Sequence, residues 1–261
     1  MDAKESQALW EKVEEIGNSI IQCPMECPGM RNIPSENYYP RGFFLESNNS
    51  KADVVVVGLN PGKAGSLTRE FYKFAAEKNL ERKGVKKATY DDSVRISRAI
   101  SEDHKYYERP RSLLKKLGMS PTNILWAEIA FCEKDDCCTG RQFKNALDTC
   151  SKQYLVSILR LLGEGVHVVC LGRRAYDRIY KLIHVDDEWK NEWKDAQLKI
   201  LGVYHPTGSR LFGRYFKGKR KMAERRLQET IIKDFERLEH SHGYSRFLPE
   251  RTRRRTKTKI R

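Results

Sequence analysis

Lys51-Ala52-Asp53-Val54-Val55-Val56-Val57-Gly58-Leu59-Asn60-Pro61-Gly62 decides the fold. Four consecutive valines are apolar on both sides of a pleat, so they suit a strand covered on both faces. The glycines, asparagine and proline that follow close the strand with a tight turn. Residues 52–58 therefore predict a first strand. Outward from it the pattern repeats, with further strands predicted over residues 123–131, 166–171 and 198–203. Helical spacing fills the intervals at residues 67–77, 93–101, 110–117, 141–162 and 173–183, with Pro110 expected in the first turn of its helix. Ala8, Leu9, Val13, Ile16 and Ile20 predict a first helix over 4–21, and residues 218–239 predict a closing one. Residues 78–92 are charged without an apolar period and read as a loop. Strands alternating with helices predict a three-layer α/β/α sandwich around a central, mainly parallel four-stranded sheet.

Composition sets the class of partner. Lys and Arg number 50 against 35 Asp and Glu, a formal charge of +15, which suits a polyanion. A hydrophobic share of 39% with 17 glycines lies near the globular norm, so the chain can bury the core of one domain. That domain is expected over residues 1–245, and residues 246–261 form a basic tail. Residues 251–261 hold seven basic side chains, among them Arg253, Arg254 and Arg255, and no acid. Such a density repels itself and reads as a flexible arm for phosphates, or as a targeting or solubility tail. No apolar run approaches the roughly 20 residues that a membrane span takes. The acidic N-terminus lacks the apolar stretch of a signal peptide, so the protein is expected inside the cell, in the cytoplasm, nucleoid or nucleus. In that reducing setting the seven cysteines are read as thiols and thiolate ligands rather than disulfides.

In an open parallel sheet, ligands bind beyond the carboxyl ends of the strands. Two segments there carry chemistry. Gly58-Leu59-Asn60-Pro61-Gly62 lets backbone approach a ligand and offers an amide donor and acceptor in Asn60. His205-Pro206-Thr207-Gly208-Ser209-Arg210-Leu211 puts an imidazole at the last strand end, followed by groups that suit phosphates and bases. Each is weak alone, since a strand-to-helix turn needs glycines for its own geometry and a lone histidine is usually structural.

Together, in this order and separation, they resemble the uracil-DNA glycosylase superfamily, from about Cys23 to Tyr215. The Asn-Pro-Gly form of the first motif is similar to the mismatch-specific and single-strand-selective branches. The histidine form of the second motif and the cysteines are similar to the iron–sulfur branches. The resemblance implies a monofunctional glycosylase of base-excision repair, acting on DNA as a monomer. His205 would donate a hydrogen bond to the departing base as a neutral imidazole, and Asn60 would hold the attacking water. Gly58, Leu59 and Gly62 would line the base pocket, with Phe71 as the stacking aromatic. Ser209, Arg210, Leu211 and Arg214 would grip and wedge the DNA, with Arg210 or Leu211 as the wedge.

The resemblance also implies a 4Fe-4S cluster on Cys23, Cys27, Cys132 and Cys150. Cys137 or Cys138 could replace Cys132, and a zinc ion on four thiolates is the rival cofactor. The first cysteine pair has three intervening residues where the family usually has two. A second departure is Glu128, four residues before Cys132, where the iron–sulfur branches carry a uracil-reading Asn. An ionised Glu can only accept hydrogen bonds. Either burial keeps Glu128 neutral so that it donates, or the preferred base offers donors; the sequence reading inclines to the second. A structural salt bridge is the plainer role for Glu128. Two other functions remain open on sequence: an inactive iron–sulfur nucleic-acid-binding protein of the same fold, and a hydrolase of free nucleosides.

Overall fold

The computed structural model describes residues 3–46, 52–84, 87–103, 105–116, 119, 121, 123–161, 166–184, 198–203 and 205. In chain order these form α1 (Ala3–Ile21), β1 (Met30–Arg31), β2 (Phe44–Leu45), β3 (Val54–Gly58), α2 (Ser66–Lys83), α3 (Tyr90–Asp103) and α4 (Lys105–Lys116). There follow β4 (Ile124–Glu128), β5 (Glu133–Lys134), α5 (Gly140–Cys150), a π-helical turn (Ser151–Leu155), α6 (Val156–Arg160), β6 (His167–Leu171), α7 (Arg173–His184) and β7 (Lys199–Val203).

The main sheet runs in the order β2-β4-β3-β6-β7. The valine run forms its centre, paired in parallel with β4 on one side and β6 on the other. Val54, Val55, Val56 and Val57 are all buried, and each such side chain contributes roughly 1.5–3 kcal/mol relative to exposure. The chain leaves β3 towards β4, crosses to β6 on the opposite side and goes on outward to β7. That reversal opens a crevice beyond the carboxyl end of β3, where ligands of such sheets bind.

The four expected strands form the parallel part of this sheet, and the fifth corrects the strand count. Only two residues long, β2 pairs antiparallel with β4, Phe44 opposite Trp126, and the two rings stack at 6.3 Å. Two residues carry no period that a sequence scan can see. A second, two-stranded ribbon joins β1 to β5.

Three helix expectations also change. The charged stretch 78–92 is not one loop: α2 continues to Lys83 and is closed by Gly84 at φ +69, whose N–H bonds the Leu80 carbonyl at 2.9 Å. Glu, Lys and Arg have high helix propensity, so a charged exposed face extends the helix without an apolar period. At the start of α3, Asp92 accepts from the Thr89 N–H and hydroxyl at 2.8 and 2.7 Å. Pro110 lies inside α4 rather than in its first turn, because the helix starts at Lys105. The long helix expected over 141–162 is instead α5, the π turn and α6. The closing helix expected over 218–239 and the tail lie outside the described residues. Among the described residues no helix is long and apolar enough to cross a membrane.

Candidate active site

Gly58 and Glu128 end their strands side by side in the β3–β4 ladder. Glu128 is only 5% exposed. Two glycines make room for its carboxyl. A Cβ on Gly58 would overlap Glu128 Oε2 and the Tyr106 hydroxyl, and a Cβ on Gly42 would stand 2.7 Å from Glu128 Cγ. Gly42 adopts φ +92, a conformation that side chains disfavour, so both its backbone and its vacancy call for glycine. The Tyr106 hydroxyl donates to Glu128 Oε1 at 3.2 Å. Glu128 Oε2 is buried with no hydrogen-bond partner among the described residues. Burial pushes the Glu128 carboxyl up to about 8, against the opposing effects of the Tyr106 hydrogen bond and the Arg41 charge. The acid is thus largely neutral at pH 7, which favours the first of the two outcomes weighed for it.

The His205 ring packs against that of Tyr106, centroids 5.9 Å apart. It is reached through the end of β6: Gly172, at φ +93, donates its N–H to the Val203 carbonyl at 2.6 Å, and a Cβ there would stand 3.3 Å from His205 Cβ. Burial lowers the His205 pKa below its ordinary value, so the imidazole is neutral at pH 7. Tyr106 therefore brings the end of β4 and His205, two residues past β7, into one cluster. The sequence reading missed it because it began the helix at Pro110; the Tyr106-Tyr107 pair amid charges was the available signal.

The first-motif loop is fastened from below. Asn60 donates from Nδ2 to the Pro61 carbonyl at 2.9 Å, leaving Oδ1 to accept. Arg41 donates to the Gly62 carbonyl, and a side chain at Gly62 would enter open space, so that glycine leaves the loop uncovered. Buried Glu133 takes the Ala64 N–H at 2.6 Å on Oε2 and pairs with Arg31 at 3.1 Å and Arg41 at 3.4 Å. Arg41 and Glu133 were not singled out from sequence, since nothing local distinguishes them from the other charges. Leu59 packs against both the main core and the cysteine-bearing cluster. Phe71 packs edge-to-face on Tyr72 within the cluster that joins α2 to Ile96 of α3. Ser209, Arg210, Leu211, Arg214, Arg253, Arg254 and Arg255 lie outside the described residues.

The cysteines sit beside this loop. The β1–β5 ribbon ties the segment after Cys27 to the segment after Cys132, and the Asp135 N–H bonds the Gly29 carbonyl at 2.9 Å. Burial, and then the neighbouring thiols of Cys150, Cys23 and Cys27, push the Cys132 thiol up. Cys150 is pushed up to about 11 by burial and then by Cys27 and Cys23, against a hydrogen bond from the Phe131 backbone. Cys27 is raised by burial and by Cys23. These four thiols are within electrostatic reach of one another, a donor set that cations would stabilise as thiolates. Cys137 is exposed. Cys138 is buried, bonds the Thr139 carbonyl at 3.5 Å and lies against Gly29. Cys170 is buried in β6 among core residues. Among the described residues no three Cys, His, Asp or Glu side chains form a ready grip for one ion.

A family model described as the uracil DNA glycosylase superfamily matches residues 45–229. No curated protein matches the chain.

Proposed function

We propose, because the chain belongs to the uracil DNA glycosylase superfamily, that it is a monofunctional DNA glycosylase that flips out a deaminated base and hydrolyses its N-glycosidic bond. The observation that carries this reading is the meeting of Gly58, Glu128, Tyr106 and His205 beyond the carboxyl ends of the sheet, next to the Asn60 loop.

The chemistry follows from charge. As the C1′–N bond breaks, its electron pair leaves with the base and positive charge grows on the sugar. A neutral His205 N–H aimed at the base oxygen stabilises the departing anion, as any preorganised donor does. Asn60 Oδ1 orients a water whose oxygen bonds C1′; the water's proton is lost to solvent or the base. That positioning role needs no strong base. Glu128, buried beside Gly58, faces the base edge. Flipping needs phosphate contacts and a wedge, roles that fall to Arg210, Leu211 and Arg214 and to the tail arginines.

For the cofactor we propose a 4Fe-4S cluster on Cys23, Cys27, Cys132 and Cys150. The closeness of Cys132 to Cys150, Cys23 and Cys27, which after burial raise its thiol, supports Cys132 over Cys137 or Cys138 as the third donor. A zinc ion held by the same four thiolates is the rival cofactor. When bound, the cluster would supply cross-linking of the N-terminal segment to the sheet.

The test is base release from a panel of oligonucleotides containing uracil, hypoxanthine, xanthine, thymine mismatches and oxidised bases, each single-stranded and paired. Release of at least one deaminated base is expected. DNA binding without release of any base would instead identify an inactive binding protein of the same fold.

A further inference from the structure

We propose that Tyr106 is a positioning residue that fixes the carboxyl of Glu128 as a one-way hydrogen-bond donor, so that the site selects bases bearing a carbonyl where the undamaged base bears an amino group. This rests on the glycosylase reading above and specifies what its pocket accepts.

The geometry supplies the direction. A neutral carboxyl has one oxygen that accepts well and one that carries the proton. The Tyr106 hydroxyl occupies Glu128 Oε1 as an acceptor at 3.2 Å, which leaves the acid proton on Oε2. That oxygen is the buried one without a partner among the described residues, and it lies in the space that Gly58 keeps clear. A buried donor left unpaired is costly, so the arrangement persists only if something else completes it. A base carbonyl does so: O4 of uracil, or O6 of hypoxanthine. The amino groups of cytosine and adenine would face donor with donor. Among the described residues, the charged and titratable groups that act on Glu128 besides Tyr106 are Arg41 and Tyr107, and His205 packs on Tyr106. Arg41 favours the ionised carboxyl, and burial outweighs it. Tyr106 itself stays protonated far above neutrality, raised by burial and then by Glu128, so it remains available as a donor across the working range.

The experiment pairs a direct titration with a rate profile, on the full chain. The carboxyl carbon of Glu128, followed by NMR with 13C-labelled glutamate and assigned through Glu128→Gln, is expected to titrate near pH 8 and to move higher in Tyr106→Phe, which keeps the ring and loses the donor. Base release is expected to fall about tenfold per pH unit above that titration. The fall should shift upward in Tyr106→Phe and disappear in Glu128→Gln, whose amide does not titrate. Discrimination of uracil over cytosine should drop by about tenfold or more in Tyr106→Phe. Titration of Glu128 near pH 4.5 in the unaltered protein, or no movement in Tyr106→Phe, overturns the proposal. Preferential release of bases that offer donors overturns it too. Absence of release from any base sinks the glycosylase reading instead, and the NMR titration still decides the Tyr106–Glu128 couple.

Discussion

His205 and Asn60 divide the work of cleavage, one meeting the charge that leaves and the other the water that arrives. His205→Ala is expected to slow base release by roughly 10²–10³-fold, the scale of one preorganised donor, with DNA affinity little changed. Asn60→Ala should act similarly through the water, and single-turnover rates on the best base of the panel check both. Rates within a few-fold of the parent for both variants would mean that the chemistry lies elsewhere. Glu128 adds a stability prediction. Its folded pKa of about 8 stands above the ordinary 4.5, so the folded state holds a proton that the unfolded state loses over that interval. Its contribution is fully present below pH 4.5, declines as pH rises, and is lost by about pH 8. At about 1.4 kcal/mol per unit this amounts to at most roughly 5 kcal/mol. Glu128→Gln should therefore melt higher than the parent at pH 9 and lose that advantage at pH 4; equal differences at both would refute the buried-acid account.

Strands and helices explain how the residues come together and how much of that was readable. The valine run and the alternation of apolar segments specify the parallel sheet, because burial on both faces leaves a pattern that needs no partner to be recognised. The strand ends then point to Gly58, Glu128 and His205. For Tyr106 the adjacent Tyr107 is the one local signal: α4 begins at Lys105 in a charged stretch, and its inward turn follows from what it packs on rather than from its own period. The β1–β5 ribbon and β2, at two residues each, are set by pairing across the chain, which spacing does not encode. Glu133 is the clearest consequence of such pairing. It is 3% exposed and holds Arg31, Arg41 and the Ala64 N–H at once. Glu133→Ala strips the Ala64 N–H of its acceptor, while Arg31 keeps Asp135 and Arg41 keeps the Gly62 carbonyl, and it should cost about 1–3 kcal/mol, read as a shift in a urea transition. Base release should fall with it as the Gly62–Ala64 loop loses its anchor. A shift below about 0.5 kcal/mol would show that the loop is held without it.

At the scale of the molecule, two features act over distance. The first is the cysteine set, drawn from before the sheet, from beyond β4 and from the end of α5. Protein purified without oxygen is expected to be brown, with about four irons per chain; colourless protein with one zinc would reject the cluster. The second is the distribution of charge. Residues 206–261 hold 18 of the 50 basic side chains and 6 of the 35 acidic ones. Thus +12 of the net +15 follows His205, and residues 1–205 are nearly neutral overall. Affinity for a polyanion should therefore follow the C-terminal residues, while the choice of base stays with the strand ends. Residues 251–261 contribute seven positive charges and no acid. Each phosphate they neutralise adds about 0.9 to the slope of log affinity against log salt, so deleting them should flatten that slope by up to about 6. Since phosphates carry no sequence information, the loss should be alike for every DNA sequence and every base in the panel. Binding isotherms between about 50 and 200 mM salt measure it. An unchanged slope, with unchanged affinity at low salt, would assign the tail to targeting and leave DNA contact to the 11 basic side chains between His205 and Arg251.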